Sequence, residues 1–216
     1  MSRALALLLT VLLVTLLTAT SLQFGLPPRR VTSGRSKLSA LEIKGQIRQL
    51  AKGMQNGIGA SAAKKAAMAA LVAQLEPANR VKKLTSSELL DGTWQLLFTT
   101  NEGSSAGKLG PFVGDVAQAI DLNQREYFNY VRLGPGGALV EGSLRATWDN
   151  LGDKLWRVKF QSLTLKVFGI QISKAPLVAE GVWRMTYLDD DLRILYAKGG
   201  KNLEKENVYI LGKGTK

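Results

Sequence analysis

The sequence predicts a mainly β protein, a small closed antiparallel barrel preceded by an N-terminal helical hairpin. Three observations carry that class. A Gly-x-Trp strand opens the main domain at Gly92-Thr93-Trp94, and a second returns far downstream at Gly181-Val182-Trp183. Between them, short stretches alternate apolar and polar residues with period two, separated by turn residues, and no convincing helix intervenes. Before them, two stretches carry a helical period instead. A sheet that opens on a tryptophan and returns to another suggests a barrel holding something apolar. About eight to ten strands suit closure around one ligand.

The 216 residues fit one such domain plus targeting and accessory segments. Charge is unevenly spread over a net +12. Residues 1–40 hold five basic residues and no acid; residues 41–84 hold eight basic against two acidic; from Thr85 onward the count is sixteen against fifteen. The barrel region is therefore nearly neutral, which argues against nucleic-acid binding, since phosphate recognition needs a basic patch on the folded surface. The chain has no cysteine and no histidine. Disulfides, thiol nucleophiles, Ser-His-Asp triads and Cys/His metal sites are thereby excluded, and an enzyme would have to work without them.

Ala4–Ala19 is an uncharged run after Arg3. It is short of the roughly 20 apolar residues a transmembrane helix needs, and it ends in the small residues Ala19, Thr20 and Ser21. Residues 1–21 therefore read as a cleaved signal peptide rather than a retained anchor. Residues 22–40 contain Arg and Ser, lack acids and carry a Pro27-Pro28 breaker, which is transit-peptide composition. Together they resemble the bipartite leaders of algae whose plastids lie inside extra membranes, with Phe24 near the expected cleavage point. A disordered linker is the plain alternative.

Residues 41–84 form the expected helical hairpin. Ile43, Ile47, Leu50 and Met54 share one face of a first helix, which Gly53 and Gly57-Ile58-Gly59 break. Ser61 can cap a second helix, Ala62 to Leu75, with Met68, Leu71, Val72 and Leu75 on one face, and Pro77 stops it. Lys64 and Lys65 at its start oppose the helix dipole. They read as solvated lysines of a hairpin packed on the barrel, or as groups meeting an anionic surface.

Residues 85–216 form the expected barrel. The first strand follows the Asp91-Gly92 turn, with Trp94, Leu96 and Phe98 on one face. The loop 101–110 brushes against a phosphate-loop pattern but is one residue short, and Leu109 stands where Ser or Thr would hold magnesium. Strands follow at Val116–Leu122, Glu126–Leu133 and Leu139–Trp148, where Val140, Gly142, Leu144, Ala146 and Trp148 alternate cleanly. Leu155–Phe160 puts Trp156, Val158 and Phe160 on one face, and a phase shift predicts a bulge or corner near Ser162. Ile170 and Ile172 suggest a further short strand. After Pro176, Val182–Leu188, the Asp189-Asp190-Asp191 turn, Leu192–Ala197 and Asn207–Leu211 close the sheet. The three aspartates lack the spacing of oxygen ligands in a calcium loop, and no metal or other cofactor is expected.

Trp94, Trp148, Trp156 and Trp183 all fall on strands. With Phe98, Phe160 and Tyr187 in phase they are candidates to line a cavity for a flat or long apolar ligand, core packing being the plain role for any one of them. The expected ligand-binding set is Trp94, Phe98, Trp148, Trp156, Trp183 and Tyr187. Arg193, on the strand after the second tryptophan strand, can cross the barrel end and stack on Trp94, closing it.

Four segments in order, Leu71–Asn79 (LVAQLEPAN), Leu89–Thr100 (LLDGTWQLLFTT), Gln118–Leu122 (QAIDL) and Tyr187–Ile194 (YLDDDLRI), resemble the plastid lipid-associated proteins, or plastid fibrillins. The resemblance runs from about Leu38 to Leu211. It departs after Ile194, where the family tends to carry Arg-Gly and this chain reads Leu195-Tyr196-Ala197-Lys198-Gly199-Gly200-Lys201. The resemblance implies a lipocalin-like barrel and a non-enzymatic role: binding or organising prenyl lipids such as quinones and carotenoids at thylakoids or plastoglobules. It implies a plastid location and peripheral contact with a membrane or lipid-droplet surface. The alternative is a ligand-free structural coat of plastid lipid droplets.

Overall fold

The computed structural model describes residues 38–199 and 202–214. The signal-peptide reading and the transit-segment reading, save for residues 38–40, lie outside the described residues. Ser39 and Ala40 belong to the first helix, α1 (Ala40–Ala51). The Ser39 hydroxyl accepts from the Glu42 amide at 3.3 Å and the Glu42 carboxylate accepts from the Ser39 amide at 2.8 Å, a reciprocal cap that starts the helix three residues ahead of Ile43, the first of its apolar stripe. The second helix, α2 (Ala62–Leu75), is capped by Ser61 as its sequence predicts. Between them Gly57 takes φ +98, and a Cβ there would fall 2.3 Å from the Thr99 carbonyl oxygen. Only glycine lets the connection lie this close to the barrel.

Ten strands follow: β1 (Gly92–Thr99), β2 (Lys108–Leu109), β3 (Phe112–Val113), β4 (Asp115–Asp121), β5 (Glu126–Leu133), β6 (Val140–Asn150), β7 (Leu155–Val167), β8 (Ile170–Leu188), β9 (Leu192–Gly199) and β10 (Asn202–Lys213). Eight of them close an antiparallel barrel in the order β1-β10-β9-β8-β7-β6-β5-β4, and β2 and β3 make a separate small hairpin. From β4 to β10 each strand pairs with the next, and β1 seals the seam between β4 and β10. The expected barrel and hairpin of helices are both present.

Two details differ from the sequence expectation. Strand β8 runs 19 residues straight through Pro176, because the register slips there: Ser162 faces Pro176 and Phe160 faces Ala179. The slip is the bulge expected near Ser162, and a bulge is one of the few places a strand accepts proline. The short stretch at Ile170 and Ile172 is thus the start of β8 rather than a strand of its own.

Two apolar layers hold the fold. One fills the barrel with all four tryptophans, Leu96, Val158, Met185, Leu195 and Leu211. The other joins Ile43, Ile47, Met54, Met68, Val72 and Leu75 of the helical segment to Phe98, Leu192, Ile194 and Ile210 on the outside of the barrel. Lys44 reinforces this second layer, reaching Asp189 at 2.7 Å and Asp191 at 2.9 Å in the β8–β9 turn.

One barrel end is sealed. Leu84 and Leu90 are fully buried in the interior layer. The stretch between them is held by two tryptophans: the Trp94 indole donates to the Leu90 carbonyl at 2.8 Å, and the Trp156 indole to the Thr85 carbonyl at 3.1 Å. A buried indole N–H requires such a partner, so each ring fills the base and fastens the plug beneath it.

Candidate functional site

The other end is hollow, for a reason legible in the inward positions of β8 and β9. From the mouth downward β8 presents Ala179, Gly181, Trp183 and Met185, and β9 presents Ala197, Leu195 and Arg193. Small side chains near the mouth leave a cavity of about 380 Å³, and large ones below fill the barrel. Leu144, Phe160 and Leu177 form apolar walls, Trp183, Tyr127, Gln118 and Leu195 the floor, and Asn101, Ser104, Ser105, Lys198 and Asn207 the rim. Such a volume lies in the range of small-molecule sites, and polar and apolar groups line it in nearly equal share, with five of the polar ones at the rim.

Aromatic rings stack downward from the floor. Tyr127 meets Trp183 edge-on at 4.8 Å between centroids, and Trp156 lies 6.3 Å from Trp183 and 4.4 Å from Trp148, both near parallel. Of the six residues expected to line the cavity, Trp183 does so; Trp156 and Trp148 back it from the interior layer, and Trp94 sits in the base. Phe98 and Tyr187 lie elsewhere, in the outer layer shared with the helical segment. The cause is a pair of register shifts, between Leu96 and Phe98 on β1 and between Met185 and Tyr187 on β8. Each extra residue turns the following side chain to the opposite face. Tyr187 instead donates to Asp189 at 2.7 Å.

Arg193 is fully buried, its Cζ 5.1 Å from the Trp94 ring centroid. Burial pushes its pKa down to about 10, with Tyr127 working the other way. It remains a cation at neutral pH. Its Nη2 donates to the Gln118 carbonyl oxygen, while Nε and Nη1 have no partner. Because the Gln118 oxygen accepts from Arg193, the amide nitrogen of this cavity-lining residue is left as a donor at the floor. Burial also pushes the Tyr127 hydroxyl up, keeping it neutral, and it donates to Asn129 at 3.2 Å.

Gln118, Tyr127 and Asn129 were not expected at the site. The signal was present: Gln118 shares a face with Val116 and Ile120, and Tyr127 and Asn129 share one with Val131, so polar groups interrupt otherwise apolar inward faces. One carboxylate oxygen from each of the three turn aspartates lies within 4.8 Å of the others, but Asp189 and Asp191 pair with Lys44. Burial works to raise the Asp189 carboxyl, and Lys44, Tyr187 and two backbone amides overcome it, holding it down to about 2. Asp189 and Asp191 clamp α1 to the barrel.

An eight-stranded antiparallel meander, plugged at one end and hollow at the other, is a lipocalin-like barrel. Within that class, the PAP_fibrillin family model matches residues 42–203, and the chain belongs to this family, in agreement with the four segments read from the sequence. Two proteins of Arabidopsis thaliana are similar to it. "Probable plastid-lipid-associated protein 5, chloroplastic" is 27% identical over 179 residues, covering 82% of this chain and 72% of that protein. "Probable plastid-lipid-associated protein 11, chloroplastic" is 28% identical over 116 residues, 51% of this chain and 53% of that protein. The chain thus spans about half the length of the second relative.

Proposed function

We propose that the protein works in a plastid without catalysing a reaction, holding one end of a prenyl lipid in the barrel mouth at a thylakoid or plastoglobule surface. The observation that carries this is the cavity with apolar walls, a partly aromatic floor and a polar rim. Family membership and the chloroplastic relatives support the compartment. The amide nitrogens of Gln118 and Asn129 favour a quinone ring over a pure hydrocarbon, because carbonyl oxygens can accept where a hydrocarbon would leave donors unpaired. The cavity suits a ring and the first part of its tail, the rest of which stays in lipid. Contact with the surface is peripheral in this reading, and among the described residues no helix is long and apolar enough to cross a membrane. Residues 1–21 act in it as signal peptide and residues 22–40 as transit segment, with cleavage ahead of the Ser39 cap of α1.

Trp183 supplies the test. A short-tailed benzoquinone, decyl-ubiquinone, should quench tryptophan fluorescence saturably. Ala197→Phe, which fills the mouth, should weaken that quenching about tenfold or more, the cost of excluding a side-chain-sized apolar group. Linear, non-saturable quenching unchanged by Ala197→Phe would refute ligand binding and leave the ligand-free coat.

A further inference from the structure

The apolar side chains that the fold leaves exposed are not scattered. Of the eleven large ones among the described residues, seven lie on segments of the mouth end: Phe112, Leu139, Leu163, Phe168, Ile170, Ile172 and Val178. The β7–β8 hairpin projects there with Phe168 72% and Ile170 69% exposed at its tip. Leu139, half exposed in the β5–β6 turn, accepts from the Phe168 amide at 3.0 Å. The small β2–β3 hairpin carries Phe112 at the same end of the barrel.

The tip itself is built at a local cost. Phe168 and Gly169 both take positive φ, +50 and +79. A two-residue hairpin turn of this kind favours Asn or Asp at its first position, and a bulky residue there is an outlier. The chain nevertheless places an aromatic at the point farthest from the core. Such strain points to a use for the exposed ring.

The ribbon behind the tip is continuous with the cavity. Strand pairing aligns Leu144 with Leu163, Gly142 with Leu165, and Val140 with Val167, which faces Ile170. Paired residues share a sheet face, and Leu144 lines the cavity. One apolar wall therefore runs from the cavity to the exposed tip. Residues 163–178 and 108–113 hold no acid; Lys166 pairs with Glu141 of β6 at 3.2 Å, and Lys174 and Lys108 are the lysines left for a surface. A thin convex tip with lysines behind it suits insertion below a layer of anionic headgroups, with the cations left among them. A flat protein partner needs a broader face.

The geometry points to the β7–β8 hairpin, with Phe168 and Ile170 leading, as the element that enters a lipid surface and sets the cavity mouth against it. The apolar wall then gives a lipid tail a path between surface and barrel that avoids water. The helical segment offers no comparable apolar tip, because Ile43, Ile47, Met54, Met68, Val72 and Leu75 are buried, and Lys44, Arg48 and Lys65 meet Asp189, Asp191 and Glu102 of the barrel. The inference rests on the lipid-surface reading above and names the face that serves it.

Because the chain lacks cysteine, a single Ile170→Cys substitution in the full chain can carry a polarity-sensitive fluorophore. Leu151→Cys, in the turn at the sealed end, is the comparison. With vesicles of phosphatidylcholine and phosphatidylglycerol in equal amounts, the label at 170 should shift blue and be quenched by nitroxide lipids, and the label at 151 should not. Phe168→Ser in the Ile170→Cys background should lower the labelled tip's partition about tenfold. Co-sedimentation with the label at 170 unchanged, or with 151 quenched equally, would overturn the assignment of this face while lipid association stands. No co-sedimentation would overturn both. A blue shift that grows with protein concentration in the absence of vesicles would instead show a second copy covering the tip, and overturn the assignment.

Discussion

The contact between Arg193 and Trp94 makes a prediction that separates barrel closure from ordinary core packing. Both side chains are fully buried, and 5.1 Å from cation to ring centroid is within cation–π range. Trp94→Ala opens a cavity in the sealed end and leaves the Leu90 carbonyl without its indole donor, so about 3–5 kcal/mol should be lost. Arg193→Ala should cost less, about 1–2 kcal/mol. It frees two buried N–H groups from their unpartnered state, which offsets part of what the stack contributes. If the stack is worth about 2 kcal/mol, the double variant should be less destabilised than the sum by about 1–2 kcal/mol. Arg193→Lys keeps the charge but loses the planar face and should rescue only part. Lys213 also lies over the Trp94 ring, its Nζ 4.3 Å from the centroid, so the same cycle run with Lys213→Met assigns its share. Urea unfolding with a common m-value measures all of these. Single-variant energies that add within about 0.3 kcal/mol would refute the closure argument.

Three further outcomes are expected. Asp189 titrates in the fold below the usual carboxylate value, so its contribution is complete above about pH 4 and disappears as pH falls through its folded pKa; Asp189→Asn should be clearly less stable than the parent at neutral pH and close to it in strong acid, and a pH-independent gap in thermal midpoints would contradict the Lys44 clamp. Gly57→Ala should cost about 2 kcal/mol or more, since the position needs positive φ and a Cβ would strike the Thr99 carbonyl; equal denaturant midpoints would show that the helix connection can move away. Residues 1–40 fused to a fluorescent protein should direct it to the plastid in an alga with multiply bounded plastids, and secretion or retention in the endoplasmic reticulum would reject the leader assignment.

Much of the architecture was legible because burial on one face leaves a period-two trace, as in Val140 to Trp148, and because caps are local chemistry, as with Ser61. What escaped depends on pairing between distant strands. The one-residue slips at Leu97 and Thr186 send Phe98 and Tyr187 outward, and nothing in their own neighbourhoods announces it. Pro176 reads as a strand breaker until the slip opposite Gln161 accommodates it. The cavity was legible as a kind of object but not as a residue set. Tryptophans draw the eye, yet Ala179, Gly181 and Ala197 make the space, and a missing side chain gives no signal until its neighbours around the barrel are known.

The central claim is that the barrel mouth holds a prenyl lipid. The most direct measurement is to incubate the protein with a plastid lipid extract, re-isolate it by gel filtration, and identify what it retains by solvent extraction and mass spectrometry. A prenyl quinone in near-stoichiometric amount with the parent chain, and greatly reduced with Ala197→Phe, is the predicted result. No prenyl lipid on the parent chain, or equal amounts on both, would contradict it.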